Sequence, residues 1–180
     1  LMRPRSILLV LIVAATVCSS SLARSHSLSE HSPSEASGSI PGLGFNEPAD
    51  AMTEIASLRR TVRILPNDPD YRLQLAGALL RVGDLDAAVE ECRAAITLQP
   101  NDGNAHLQLG LMLMAKQEWG AAASALGEAI RLEPDLSHAH YSLGSVQYSL
   151  GNVTAAVESY RRTLELRPLF PDAHYRLALL

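Results

Sequence analysis

Three histidines recur at one interval, and imidazoles at a fixed spacing are a pattern that could hold metal ions. They are His106, His140 and His174, spaced 34 residues apart. If they occupy equivalent places in stacked units, neighbouring side chains are ~8–10 Å apart, whereas zinc holds each nitrogen at about 2.0–2.1 Å. We therefore expect no metal and no other cofactor at these residues. Each ring is predicted to pack between helices with its polar edge hydrogen-bonded.

Other side chains with reactive groups do not form a catalytic pattern. Glu90 and Glu91 are adjacent, so on a helix they diverge and are expected at the surface. Cys92 falls at a repeating apolar position, and we interpret it as a small core side chain and not as a reactive thiol. No nucleophile is placed near a histidine with an orienting carboxylate. The sequence predicts a protein without catalysis of its own.

The charge pattern does not favour nucleic acid as a partner. The chain has a net charge of −4 and no basic stripe along its length. Its one small positive cluster consists of Arg59, Arg60 and Arg63. Such a cluster is typical of a solvated helix face, so no nucleic acid partner is predicted.

The elements that carry these side chains follow from the same period. Prolines recur at the 34-residue interval as Pro66, Pro100, Pro134 and Pro168. A fixed period of this size indicates stacked copies of one supersecondary unit. Between residues 107 and 132 apolar side chains recur at spacings of three and four, as in helices. The sequence therefore predicts an all-α fold, with small residues at one repeat position (Ala76, Gly110 and Gly144) where two helices cross.

One copy of the unit reads His106-x2-Leu109-Gly110-x2-Leu113, followed by Ala122-x3-Leu126 and Pro134. This arrangement resembles the tetratricopeptide repeat, which has a Trp-x2-Leu-Gly-x2-Tyr, Ala-x3-Phe and Pro pattern. The family's Trp is replaced here by Arg72 and by the three recurring histidines. The resemblance implies an α-α superhelix, a solenoid of antiparallel helix pairs with a curved inner face.

The chain divides into three parts by composition. Residues 1–23 carry Arg3 and Arg5 before an apolar run, which is typical of a secretory signal peptide. An uncleaved membrane anchor over residues 7–23 is the alternative. Residues 24–48 are rich in Ser, Pro and Gly, and we expect a disordered linker there. The repeat domain covers residues 49–180, with a half repeat at 51–66, repeats at 69–102, 103–136 and 137–170, and a truncated repeat at 171–180.

The resemblance also implies where a partner binds. In the family the first helix of each unit lines the groove, which assigns that role to Leu73, Asn104, Leu107, Leu111, Met114, His138, Tyr141, Ser145, Tyr148 and Tyr175. Such Leu, Met and Tyr side chains with a polar edge suit a protein or peptide segment. Arg176, at the neighbouring position, is the one basic residue beside this series, so a clamp for a terminal carboxylate is not expected.

The favoured interpretation is an exported scaffold, periplasmic or secreted, that binds a protein segment in this groove. It contacts a membrane only if the N-terminal segment stays uncleaved. One alternative is that the repeats form the N-terminal arm of a longer enzyme, for example a glycosyltransferase or a peptidase. Self-association through the apolar C-terminal end, from Tyr175 to Leu180, is a further expectation.

Overall fold

The computed structural model of the chain describes residues 48–180. The predicted signal peptide or anchor, and the predicted linker up to residue 47, lie outside the described residues. The prediction of an all-α fold is confirmed, because this part of the chain forms eight helices and no strand. In chain order the helices are α1 (Pro48–Ile64), α2 (Pro69–Val82), α3 (Leu85–Leu98), α4 (Gly103–Ala115), α5 (Trp119–Leu132), α6 (Ser137–Ser149), α7 (Val153–Leu166) and α8 (Pro171–Ala178). None of the helices between residues 48 and 180 is long and apolar enough to cross a bilayer.

Side chains at fixed repeat positions start the first helix of two pairs. Asp68 accepts a hydrogen bond from the backbone N–H of Asp70 at 3.0 Å, and Asp102 accepts one from Asn104 at 2.9 Å. Each aspartate thereby satisfies one of the N–H groups that the first turn leaves without a helical partner. Pro69 follows Asp68 in the first turn, where its fixed φ is already helical.

The turn inside each helix pair needs a left-handed residue. Gly83 directly follows α2 and Gly151 follows α6 after Leu150, with φ of 81° and 82°. The equivalent residue between α4 and α5 is Gln117, which adopts φ 63° although it carries a Cβ atom. Left-handed backbone costs an ordinary residue roughly 1–2 kcal/mol, so the middle repeat is strained at a point where its neighbours are not.

Contacts between the first helices of successive pairs show which side of the stack is the inner side. The first helices of the pairs are α2, α4, α6 and α8, and the second helices are α3, α5 and α7. Each second helix packs against the first helix of its own pair and against the first helix of the next pair. In addition α2 contacts α4, and α4 contacts α6. The first helices therefore lie close together along the stack, as expected on the concave side of a curved solenoid.

The small residues predicted at the helix crossings have the expected packing role. A Cβ atom on Gly110 would lie 2.7 Å from Leu126 Cδ2, and one on Gly144 would lie 2.8 Å from Tyr160 Cε1. In the preceding pair the two equivalent positions hold Ala76 and Cys92, both fully buried. The crossing position thus holds glycine where the opposite residue is large, as Leu126 or Tyr160, and alanine where the opposite residue is the smaller Cys92.

Two apolar clusters stabilise the stack. The larger one runs from α1 to α6 and consists mostly of Ala, Leu, Met and Val side chains. The smaller one lies at the C-terminal end and is built from Tyr141, Ala156, Tyr160, Phe170 and Ala173. The core therefore changes from aliphatic to aromatic along the chain.

Candidate functional site

The ten residues that the sequence assigns to the groove differ in how far solvent reaches them. Four are buried, namely Leu73, Leu107, Met114 and Tyr141. Three are half-buried, namely Leu111, His138 and Ser145, and three are exposed, namely Asn104, Tyr148 and Tyr175. The buried four belong to the packed core, so a partner would reach mainly the other six. Their role in binding stays a prediction.

The N-terminal half of this face offers little polar chemistry. Leu73, Leu107 and Met114 all belong to the large apolar cluster, and Leu111 packs against it from the half-buried side. Asn104 is exposed at the start of α4. This half presents a shallow aliphatic surface with an amide at its edge.

The C-terminal half is an aromatic assembly that centres on Phe170. The Tyr141 ring lies 5.0 Å from the Phe170 ring and 5.6 Å from the Tyr160 ring, measured between centroids. His138 meets Phe170 edge-on at 5.4 Å, and the Arg167 guanidinium carbon stands 5.6 Å above the same ring. Aromatic pairs at these separations add to the stabilisation from burial. They fix the orientation of the side chains at the end of the groove.

Hydroxyl groups line the same half of the face. The Tyr160 hydroxyl donates to Ser145 Oγ at 3.2 Å, and Ser145 Oγ donates to the Tyr141 carbonyl oxygen at 3.2 Å. Tyr148 is 47% exposed and Tyr175 is 64% exposed. Burial raises the pKa of Tyr160, although the hydrogen bond with Ser145 opposes this effect. The Tyr160 phenol is therefore a neutral hydrogen-bonding group at physiological pH.

His138 is also neutral under these conditions. Burial lowers its pKa, and the positive charge of Arg167 lowers it further. Because the ordinary value of imidazole is about 6.5, a lowered pKa leaves the ring uncharged at pH 7. His138 thus contributes an aromatic surface and not a charge.

The three recurring histidines have a structural partner that the sequence did not specify. Nε2 of His106, His140 and His174 lies 3.1, 2.9 and 2.8 Å from the carbonyl oxygen of Pro100, Pro134 and Pro168, respectively. The predicted hydrogen-bonded polar edge is confirmed. His174 is exposed, however, so the prediction that each ring packs between helices is wrong for this one. Between residues 48 and 180, no group of metal-binding side chains comes together.

Arg72 replaces the histidine in the first pair and makes the same contact. Its Nη2 donates to the Pro66 carbonyl oxygen at 2.9 Å, while its Nη1 pairs with Glu91 at 3.0 Å. The shared repeat position therefore fastens each first helix to the proline turn before it. Glu91 is half-buried and not fully at the surface as predicted, because of this ion pair.

Cys92 is a core residue, as the sequence predicts. Its side chain is fully buried, and burial, followed by the nearby charge of Glu91, raises its pKa to about 12. A thiol with so high a pKa is almost entirely protonated at neutral pH and is a poor nucleophile.

Two residues of this region were missed by the sequence analysis. Phe170 precedes α8 in a loop and becomes buried, although nothing in the helical spacing marks it. Tyr160 could have been found, because it stands at the repeat position opposite Gly144, where a large partner fills the space left by glycine.

Comparisons with known proteins agree with this geometry. Two models of the tetratricopeptide repeat match the chain, one over residues 69–112 and the other over residues 107–168 and 148–180. A crystal structure of MamA is 27% identical, with a TM-score of 0.68 over 73% of this chain and 77% of that one. The first TPR domain of Spaghetti (RPAP3), bound to the HSP90 peptide SRMEEVD, is 18% identical with a TM-score of 0.60, over 61% of this chain and 87% of that one. No curated protein matches the sequence. The 34-residue helix pairs and the glycine crossings agree with the two family matches. This chain therefore belongs to the tetratricopeptide repeat family, whose fold is that of a protein interaction scaffold.

Proposed function

We propose that this protein is an exported scaffold that holds a protein or peptide segment on its inner face and carries no catalysis of its own. The observation that carries the proposal is the row of solvent-accessible groove residues on successive first helices. Leu111 lies on α4, Ser145 and Tyr148 lie on α6, and Tyr175 lies on α8. A continuous row across several repeats suits an elongated ligand better than a compact one.

The dimensions of the stack favour an extended segment. Neighbouring helices pack at ~8–10 Å, and an extended chain advances about 3.3 Å per residue. About three residues of a bound segment would therefore pass each repeat. A peptide of about twelve residues would be long enough to cross all four first helices.

The side chains on this row are of the kind that dominates peptide recognition. Tyrosine combines a large apolar ring with a hydroxyl that keeps its hydrogen bonds in a partly wet interface. The likeness to a TPR domain that holds the peptide SRMEEVD supports a peptide ligand for this chain as well. The absence of catalysis is supported by the burial and the raised pKa of Cys92, which leave its thiol protonated and unreactive.

Export is the part of the proposal that depends on residues 1–23. Their two arginines and the apolar run after them support a secretory signal, with a membrane anchor over residues 7–23 as the alternative. N-terminal sequencing of the protein recovered from cells tests this. A new terminus near residue 24 supports cleavage and export, whereas an intact terminus in the membrane fraction supports the anchor.

Binding can be tested with a display library of random dodecapeptides. Peptides enriched on the full chain are then measured by fluorescence polarisation against Tyr148→Ala. The matched control is Val153→Ala, because Val153 is 42% exposed but begins a second helix. We expect Tyr148→Ala to weaken binding at least fivefold and Val153→Ala to leave it unchanged. Equal effects of both variants, or no enriched peptide, would refute a binding groove.

We also propose that the C-terminal end supports self-association. Tyr175, Leu179 and Leu180 are exposed at the end of the predicted surface, and Leu169, which precedes α8, is 93% exposed. Apolar side chains grouped at a surface favour association. Light scattering of the full chain and of Leu169→Ser tests this: a concentration-dependent dimer that the variant abolishes supports it, and monomers throughout contradict it.

A further inference from the structure

The inner face changes its chemistry from one end to the other. At the fifth position of the first helices, leucine at 73 and 107 gives way to Tyr141 and Tyr175. At the twelfth position Met114 gives way to Tyr148. The C-terminal half therefore carries phenol groups where the N-terminal half carries leucine and methionine. Of these phenols, a bound segment would meet the exposed ones, Tyr148 and Tyr175.

A guanidinium group lies among these hydroxyls. Arg176 on α8 is half-buried, and together with Tyr148, Tyr160, Leu179 and Leu180 it lines a cavity of about 20 Å³. A cavity of this size has room for one water molecule or one carboxylate oxygen. The opening is reachable from solvent, because the Tyr148 side chain at its edge is 47% exposed.

Arg176 differs from the other arginines in its charge balance. Among residues 48–180 only Arg72 and Arg176 are half-buried arginines, and the rest are exposed. Arg72 is neutralised by Glu91 at 3.0 Å, whereas Arg176 takes part in none of the ion pairs of this part of the chain. Asp172, one helical turn earlier on α8, is exposed and does not pair with it. Partial burial of a cation without a counter-ion costs free energy, so an anion that binds to Arg176 would recover part of this cost.

The side chains that act most on the charge of Arg176 are tyrosines. Burial works against its charge, but the Tyr141 hydroxyl and the nearby Tyr160 and Tyr175 outweigh this, and the pKa of Arg176 is raised above its ordinary value. The cavity thus combines the guanidinium of Arg176 with the hydroxyl of Tyr148, while the Tyr160 hydroxyl is engaged by Ser145.

We propose that this cavity is a subsite for a side-chain carboxylate, that of Asp or Glu, in the segment that the inner face binds. The inference rests on the proposed function and makes it more specific: the ligand is an acidic segment with apolar side chains on the α2 and α4 side and an acidic residue at α8. Carboxylate and guanidinium form charge-assisted hydrogen bonds, about twice as strong as neutral ones. Selectivity for acidic over amide side chains follows, because an amide brings no charge to the unpaired cation.

The subsite can be probed without knowing the partner. The arginine Nε–H signals of the 15N-labelled full chain are followed by NMR during titration with N-acetylglutamate amide. N-acetylglutamine amide is the neutral control, and N-acetylleucine carries a carboxylate of the terminal kind. Arg176→Gln removes the cation, and Arg176→Lys keeps a charge at the same place. Arg161→Gln is the matched control, because Arg161 is exposed and takes part in none of the ion pairs between residues 48 and 180.

We expect the glutamate probe to shift the Arg176 signal to saturation and the glutamine probe to leave it in place. The shifts of the surrounding amides should vanish in Arg176→Gln, persist more weakly in Arg176→Lys and be unchanged in Arg161→Gln. Equal shifts at Arg161 and Arg176 would overturn the inference, because they would show a surface counter-ion effect only. A larger response to N-acetylleucine would also overturn it, in favour of a terminal carboxylate.

A second measurement separates this inference from the proposed function. In peptides enriched from the dodecapeptide library, replacement of Asp or Glu by Asn or Gln should weaken binding about tenfold. The same replacement should have no effect with Arg176→Gln. If peptides bind without any acidic preference, the carboxylate subsite is refuted while the scaffold function stands. If no peptide binds but the glutamate probe saturates at Arg176, the subsite stands and the scaffold function is refuted.

Discussion

Gly110→Ala tests how the helix pairs fit together, and its effect can be worked out from the structure. A Cβ atom at this position would lie 2.7 Å from both Cγ and Cδ2 of Leu126, which is closer than carbon atoms approach in folded proteins. Leu126 is fully buried, so it has little freedom to move away. Overfilling a packed core costs about 1–3 kcal/mol. Alanine, however, is favoured over glycine within a helix by about 0.8–1.0 kcal/mol.

The control for this substitution is Gly127→Ala on α5. It brings the same gain in helix propensity, but a Cβ atom there meets nothing within 4 Å. We therefore expect Gly127→Ala to stabilise the protein by up to about 1 kcal/mol. Gly110→Ala should lie about 1–3 kcal/mol below it, because only that variant carries the packing cost. Both free energies of unfolding come from urea denaturation followed by circular dichroism.

A double variant identifies the contact. Leu126→Cys reproduces the size of Cys92, which stands opposite Ala76 in the preceding pair. Combined with Gly110→Ala, it should cost less than the sum of the two single changes, by about 0.5–3 kcal/mol. If Gly110→Ala is as stabilising as Gly127→Ala, or if the double variant is strictly additive, the proposed crossing is refuted.

Three further predictions concern other parts of the stack. Gln117→Gly should stabilise the protein by about 1 kcal/mol in urea denaturation, because φ 63° then costs nothing; a loss of stability would contradict this. Asp68→Ala should destabilise it by about 1 kcal/mol through loss of the bond to the Asp70 N–H, while Asp70→Ala, which keeps the cap, serves as the control. Cys92 should react with a thiol reagent at pH 8 only in denaturant, tested in a Cys18→Ser background. Rapid labelling of the folded protein would refute the burial of Cys92. Since the pKa of Cys92 is about 12 in the folded state and about 9 in the unfolded state, its contribution to the free energy of unfolding should be constant below pH 9 and fall above it.

The period and the small residues made the fold predictable from sequence. Four prolines at one spacing set the repeat length, and α3, α5 and α7 each end two residues before one of them. A proline restricts the residue before it and removes a backbone donor, so the stop is local and readable. The role of Gly110 at the crossing was predictable for a similar reason, because only a small residue allows close helix axes.

The candidate site was less predictable, because repeat position alone does not decide burial. Leu107 and Leu111 both occupy groove positions, yet Leu107 is buried and Leu111 is half-buried, a difference that the repeat spacing does not show. Phe170 enters the aromatic cluster from a loop, where no periodicity applies. The contact from each histidine to a proline carbonyl requires the three-dimensional turn and is not visible in the spacing.

The central claim is that a partner segment lies along the first helices of the stack. Mapping of backbone amide shifts with a peptide enriched from the library tests it most directly. We expect the perturbed amides to fall on α4, α6 and α8, with the largest changes around Ser145, Tyr148 and Tyr175. Perturbation centred on the second helices α3, α5 and α7 would contradict the account.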